Sequence, residues 1–497
     1  MNQDIPLKKI FYAASRTGKM FHRSNAFVRG LMGPVGSGKS VCCVMEILRR
    51  AMEQMPDQEG IRRSRWAVIR NTYPELKATT IKTFQAWIPE EVCPITYSSP
   101  IQGKTWFRHH DGTFVEMEVL FVSMDKAKDA KKVLSLDITG AWINEVREIP
   151  KTIVDAVIGR CGRYPSGRLG TPTWSGVIMD TNPPDDLSWY YHLAEEETPD
   201  DWEFFRQPGG LVKVEHEDGS HEYKPNPLAE NLENLPDDYY SRQAKGAAEA
   251  YIDVMCCAEY KPMFDGKPVY KGSWNSNVHA AKETLEYLPG IPLILGWDFG
   301  RTPACVIGQA APDGQLRILD ECYSDNSGVR SFAENQVLPL LARRFPGCRI
   351  ESFGDPAGAA KGQANEESCF SELDNLGIPT VPACTNEQLP RIEAVIKCLN
   401  RMIGGRPGFI VDPRCKRIIR GFEGGYNYAV VGKLMGGGEV KYAEVPVKNS
   451  YSHIADALQY LCLGFSPDRI AARTASVQQI QSVIRKQQSY QYNPLAL

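Results

Sequence analysis

The stretch "GPVGSGKS" (residues 33–40) decides how the first half of this chain is read. It satisfies G-x-x-x-x-G-K-[ST] at every position. It follows an apolar segment, "AFVRGLM", and opens a helical pattern, "SVCCVMEILRRAMEQM" (40–55). Strand, glycine-rich loop and helix N-terminus are the context in which backbone N–H groups cradle phosphates. Gly33, Gly36, Ser37 and Gly38 shape that loop. Lys39 reaches the β/γ-phosphates and Ser40 ligates Mg²⁺. The bland alternative, a glycine-rich turn that only caps a helix, does not require the lysine.

A phosphate loop calls for a second strand whose end faces it. "GAWINEV" (140–146) is an apolar run ending in Asn144-Glu145. Glu145 is expected to orient the attacking water, and Asn144 to take the outer-shell Mg²⁺ position. An aspartate is usual there; asparagine keeps an oxygen acceptor and loses the charge. Asp137 lies seven residues back, up to about 23 Å away at strand rise. "DTNPP" (180–184) ends another apolar strand, where Thr181 and Asn182 are candidates to sense the γ-phosphate and a plain turn before two prolines is the equal alternative. Arg160 and Arg163, in "VIGRCGRYP", are the candidates for a transition-state arginine, with Arg160 preferred. The alternative for that pair is a helix end, where the dipole favours cations anyway.

Around these motifs, strand-like runs at 65–71, 115–123 and 176–184 alternate with helices, which argues for an α/β sheet. The acidic stretches 195–205 and 215–227 read as surface excursions. A helical patch at 236–258 leads into "YKPMFDGKPVYKGSW" (260–274), where the domain junction is placed. The resulting division is 1–262, an ATPase domain ending in a helical linker region; 263–465, a second domain; and 466–497, a flexible, Gln- and Ser-rich tail. Within the tail, 477–487 carries a short amphipathic pattern suited to docking on a partner.

The second half opens a new α/β series. Asp298 ends the strand "IPLILGWDFG" (291–300). A hairpin follows at 304–323, turning at Pro312-Asp313-Gly314, then a helix at 329–345. Asp355 ends the next strand, in "ESFGDPAG". Asp456 sits in the helix "SHIADALQYLCLGF" (452–465), with His453 one turn earlier. Each aspartate alone has an ordinary reading as a turn or helix-start residue. In this order they match an RNase H-like nuclease, which gathers three carboxylates around two divalent ions, Mg²⁺ or Mn²⁺.

Composition bounds the alternatives. The 497 residues exceed one core and point to two or three domains. Charged residues are 24% and hydrophobic ones 42%, ordinary for a globular protein. No apolar run reaches bilayer length, and the first twenty residues lack the apolar core of a secretory signal. Fourteen scattered cysteines without a C-x-x-C exclude zinc spacing and suit a reducing cytosol. A net charge of −3 decides nothing about nucleic acid, since a binding surface is local.

A P-loop domain of RecA/ASCE type followed by an RNase H-like domain resembles the large terminase subunit of tailed double-stranded DNA bacteriophages. The resemblance runs from about residue 25 to 465. It rests on "GPVGSGKS", "LSLDITGAWINEVREIP", "DTNPP", "LILGWDFG", "FGDP" and "SYSHIADALQYL". It implies an ATP-driven motor that moves double-stranded DNA into a procapsid and an endonuclease that cuts the concatemer. Implied partners are the DNA, a portal protein and a small terminase subunit. The implied setting is the host cytoplasm, transiently docked on the procapsid as a ring, with a monomer in solution as the other state. No membrane is involved. The "TNP" segment resembles the family's coupling motif. Pro34, Val35 and Leu134 stand where many relatives carry an arginine. The competing readings are a P-loop helicase or translocase without a nuclease, and a scaffold holding ATP as a structural ligand. The first would need a second ATPase core after residue 260, and no second phosphate loop is found there.

Overall fold

The computed structural model describes residues 11–216, 220–264, 266–325, 327–360, 367–433 and 440–465. The chain forms two compact units, Met1–Met263 and Phe264–Leu497.

The first unit is built on an eight-stranded sheet. Its strands in chain order are β1 (Val28–Met32), β2 (Ile61–Arg70), β3 (Ile95–Thr96), β4 (Ile101–Arg108), β5 (Phe114–Ser123), β6 (Gly140–Asn144), β7 (Gly176–Thr181) and β8 (Trp202–Arg206). Across the sheet they run β3-β4-β5-β2-β6-β7-β1-β8. β4 runs antiparallel to both its neighbours, β3 and β5; from β5 through β2, β6, β7 and β1 to β8 every pairing is parallel. Every residue of β1, β6 and β7 is buried. Trp142 faces one core cluster, with Cys43, Ile47 and Phe84, while Ala141 and Ile143 face another, with Ile153 and Val157. A parallel sheet covered on both faces gives this continuous apolar run rather than alternation.

One expectation is corrected here. Part of the acidic stretch read as a surface excursion is β8, which pairs with β1 from Val28↔Trp202 to Met32↔Arg206. As an edge strand it buries little beyond Phe205, so its pattern is weak. Part of the second excursion is a hairpin, β9 (Leu211–Glu215) with β10 (His221–Pro225).

In the second unit β11 (Lys267–Pro268), ahead of the main sheet in sequence, pairs with β20 (Asn427–Tyr428), which comes after it. That sheet contains β12 (Leu293–Asp298), β13 (Ala304–Ala310), β14 (Leu316–Tyr323), β15 (Ile350–Gly354), β16 (Thr380–Pro382) and β19 (Phe409–Val411), in the order β16-β15-β12-β13-β14-β19. β12, β13 and β14 form an antiparallel meander; β15 lies parallel to β12, and β16 parallel to β15. This is the RNase H-like arrangement. Small hairpins, β17 (Met402–Ile403) with β18 (Arg406–Pro407) and β21 (Val430–Lys433) with β22 (Val440–Tyr442), decorate it. The helix Ser450–Gly464 lies across β12. It approaches so closely that a Cβ on Gly296 would stand 2.2 Å from the Ala457 carbonyl oxygen.

The tail 466–497, with its amphipathic pattern, lies outside the described residues. Among the described residues no helix is long and apolar enough to cross a membrane.

Candidate functional sites

In the first unit the phosphate loop joins β1 to the helix Lys39–Glu53. Gly36 and Gly38 take φ of 78° and 80°, a backbone that L side chains rarely adopt. This turn aims the helix N-terminus at the space beyond the strand ends. Lys39 is buried. Its Nζ donates to the Pro34 carbonyl at 3.1 Å and to Asn182 Oδ1 at 2.7 Å. Burial lowers its pKa, and the charges of Glu145 and Asp180 oppose that shift.

β6 delivers Glu145 to the same place. The residue follows the strand with φ 51°, in the left-handed region that favours glycine, a conformation that clusters at functional sites when another residue holds it. Both carboxylate oxygens lie 3.4 Å from Asn182, one facing its side-chain amide and one its backbone N–H. Lys39, Asn182 and Glu145 thus form a connected chain from the glycine-rich loop to the end of β6.

Asn144 does not sit as expected. Its Oδ1 accepts from the Thr80 hydroxyl at 2.7 Å, and its Nδ2 faces both oxygens of Asp180, at 3.0 and 3.1 Å. The oxygen acceptor expected to face the metal is therefore engaged elsewhere. Asp180 is fully buried and accepts from Ser40 Oγ at 2.5 Å and from Trp142 Nε1 at 2.7 Å. Burial pushes its carboxyl pKa up, as does the Glu145 charge, against the hydrogen bonds from Ser40 and Asn144.

The arginine expectation is corrected. Arg160 donates to the Leu136 carbonyl and pairs with Asp137 at 3.3 Å, and Arg163 donates to the Gly159 carbonyl. Both lie beside the segment entering β6, the opposite end of that strand from Asn144. The helix Lys151–Ile158 has carried the chain back across the sheet. Arg147 is at the site instead: its Nε is 3.7 Å from Glu145, its NH1 faces the Pro183 carbonyl, and its charge acts on Lys39.

In the second unit the ends of β12 and β15 bring Asp298 and Asp355 side by side, for the Asp355 N–H donates to the Trp297 carbonyl. The helix Ser450–Gly464 supplies Asp456. The hydroxyl of Tyr460, one turn on, feels the charge of all three carboxylates. Each carboxylate holds a protein partner. Asp298 accepts from His453 Nδ1 at 2.8 Å, Asp355 from the Ala357 N–H at 2.9 Å, and Asp456 Oδ2 from Lys448 Nζ at 2.5 Å. Asp456 Oδ1 makes no hydrogen bond, although Arg391 stands 3.3 Å away. Among the described residues, no three acidic, His or Cys side chains form a ready metal cage. The donor chemistry still suits hard divalent ions, with an orphaned buried carboxylate oxygen among three converging acids. Burial is the main cause that raises the Asp298 pKa to about 6, with Asp456 adding to it and His453 opposing.

Asp180, Arg147, Lys448, Arg391 and Tyr460 escaped the sequence reading. Asp180 had a signal: a lone acid closing the apolar run "GVIMD", beside a site whose usual aspartate is missing.

No curated protein matches the chain. Among solved structures, the large terminase of bacteriophage HK97 aligns over 91% of this chain and 95% of its own, at 11% identity and a TM-score of 0.40. The large terminase of a thermophilic bacteriophage aligns over 91% of this chain and 98% of its own, at 14% identity and a TM-score of 0.37. The P22 large terminase nuclease domain covers 40% of this chain and 92% of its own, at 13% identity and a TM-score of 0.29. Residues 31–274 match the family model of the terminase large subunit, T4-like-virus type, N-terminal region. The phosphate loop, β6, β7 and the strand order around them all lie inside that match, so residues 31–274 belong to the N-terminal region of that family.

Proposed function

We propose that this chain is a large terminase subunit that hydrolyses ATP in its first unit to translocate double-stranded DNA, and cuts that DNA with a metal-dependent site in its second. The observation that carries the ATPase assignment is the Lys39–Asn182–Glu145 chain at the C-terminal edge of a sheet ordered β8-β1-β7-β6-β2. In open α/β sheets ligands bind outside the carboxyl ends of strands.

Loop N–H groups and Lys39 hold the β- and γ-phosphates. Glu145 orients water for in-line attack, and Arg147 is the nearby cation that meets developing charge. A γ-phosphate competes with Asn182 for the Lys39 ammonium. Binding and hydrolysis therefore change what Asn182 touches, and with it the "TNPP" turn, which is the route proposed from chemistry to movement.

In the second unit Asp298, Asp355 and Asp456 are the residues that would hold two divalent ions. Such ions supply an activated water and a stabilised leaving oxygen. His453 positions Asp298, and Lys448 and Arg391 offset the charge of Asp456. The packaging context adds a portal protein, a small terminase subunit and a ring assembly on a procapsid in the host cytoplasm, with the 477–487 pattern as the docking element. This reading is tested with the full chain, by assaying ATP hydrolysis and Mn²⁺-dependent plasmid nicking together. Both activities are expected. ATPase without nicking would favour the translocase lacking a nuclease.

A further inference from the structure

Asn144 stands where an aspartate is expected, and its surroundings explain why. β7 lies between β1 and β6, with Leu31, Asp180 and Asn144 in register across the three strands. The end of β7 is thus one strand spacing from the phosphate-loop strand, about 4.8 Å, and the end of β6 about twice that. A carboxylate at the end of β7 is better placed to meet the first hydroxyl of the loop helix. Ser40 Oγ does meet Asp180, at 2.5 Å.

The hydrogen bonds fix the roles. Asp180 receives three neutral donors, Ser40 Oγ, Trp142 Nε1 and Asn144 Nδ2. The nearest ammonium, Lys39, is engaged by Asn182 and the Pro34 carbonyl. With only neutral groups in hydrogen-bond contact, this fully buried carboxylate feels the Lys39 charge without pairing with it, and burying such a charge is costly unless a cation accompanies it closely. Asn144 cannot turn its oxygen toward Ser40. A flipped amide would set that oxygen about 3 Å from the Asp180 carboxylate, acceptor against acceptor, and forfeit the Thr80 hydroxyl. An aspartate at 144 would put two carboxylates side by side, and like charges at that range do not both ionise readily. One acid and one amide is the arrangement the site accommodates.

We propose that Asp180, rather than a residue of the glutamate-bearing strand, supplies the negative charge for the divalent ion that accompanies the nucleotide, acting beside Ser40, and that Asn144 is the neutral donor orienting it. The charge has moved one strand toward the phosphate loop. This inference rests on the first unit being a nucleotide site. It makes residue 180 the determinant of metal dependence, and not of nucleotide binding as such.

The test is equilibrium binding of a fluorescent ADP to the full-length protein, in Mg²⁺ and in EDTA, with electron paramagnetic resonance of Mn²⁺·ADP on the same variants. Coupling between two ligands is typically 5- to 150-fold. The parent is expected to show a Mg²⁺-dependent gain in affinity of roughly that size. Asp180→Asn is expected to keep the EDTA affinity within about threefold and to lose most of that gain. The double exchange Asn144→Asp with Asp180→Asn returns the charge to β6 and is expected to restore much of the gain. The proposal is overturned if Asp180→Asn keeps the parental gain, or if the double exchange binds ADP in EDTA yet shows none. Should Asp180→Asn alone fail to fold, the double exchange decides: a gain supports the proposal and its absence overturns it. A parent that binds no nucleotide in either buffer would instead overturn the nucleotide site itself.

Discussion

Lys39 Nζ donates to Asn182 Oδ1 at 2.7 Å, and the same carboxamide lies 3.4 Å from Glu145. One side chain therefore touches both the lysine proposed to bind phosphate and the acid proposed to orient water. Asn182→Ala is expected to leave the KM for ATP within a few-fold and to lower kcat. Losing a buried hydrogen-bond partner costs about 1–3 kcal/mol, or roughly 5- to 150-fold in rate. A steady-state split with KM raised and kcat intact would make Asn182 a simple binding residue.

Glu145→Gln is expected to bind ATP and to turn over about 10²–10⁴-fold more slowly, the usual contribution of a positioned base. Lys39→Ala is expected to lose hydrolysis altogether. Single-turnover assays with radiolabelled ATP separate binding from chemistry in both. Near-parental turnover in Glu145→Gln would remove this glutamate from the mechanism.

Much of this was legible in sequence, because a phosphate loop and an acid ending an apolar strand are local patterns. So was the order of Asp298, Asp355 and Asp456, since the meander and its following strand are consecutive. Asp180 was not legible. Its importance comes from β7 lying between β1 and β6, and strand order is a long-range fact. Arg160 misled for a related reason: a helix of eight residues is enough to carry an arginine from one sheet edge to the other. β8 was hidden because an edge strand shows little burial pattern, and the acidic residues before it dominated the reading.

Lys448 holds Asp456 with an ion pair at 2.5 Å, although its own side chain is largely exposed. If the ammonium and a divalent ion compete for that carboxylate, Lys448→Ala is expected to lower the Mn²⁺ concentration for half-maximal plasmid nicking severalfold. A Mn²⁺ titration checks this. An unchanged or higher requirement would show that Lys448 helps the reaction rather than guarding the acid.

Gly296 carries the crossing of β12 and the helix Ser450–Gly464, where a Cβ would meet the Ala457 carbonyl oxygen at 2.2 Å and the Leu461 nitrogen at 2.6 Å. Both are backbone atoms and cannot rotate away. Gly296→Ala is expected to destabilise the second unit by about 1–3 kcal/mol or more and to part Asp456 from Asp298. Differential scanning calorimetry should show the loss, with nicking reduced and ATP hydrolysis retained.

Glu321 is half-buried against the N–H groups of Arg417 and Ile418, and desolvation pushes its pKa up to about 7 from the ordinary 4.5. Below 4.5 the group is protonated both folded and unfolded, so it is neutral in its effect. Between 4.5 and 7 only the unfolded chain ionises, and stability falls as pH rises. Above 7 the loss is complete, at most about 3 kcal/mol. Glu321→Gln keeps an oxygen for one of the two donors, gives up the other hydrogen bond at every pH, and is expected to flatten that slope. Urea melts of both proteins at pH 5 and pH 8 give the comparison, and equal slopes would contradict the assignment.

The central claim is that one chain houses two chemistries with separate residues. The most direct measurement is ATP hydrolysis and Mn²⁺-dependent plasmid nicking, side by side, on full-length Lys39→Ala and Asp355→Asn. The account predicts that Lys39→Ala loses hydrolysis and still nicks, whereas Asp355→Asn hydrolyses ATP and no longer nicks. A folded Asp355→Asn that cuts like the parent would contradict it.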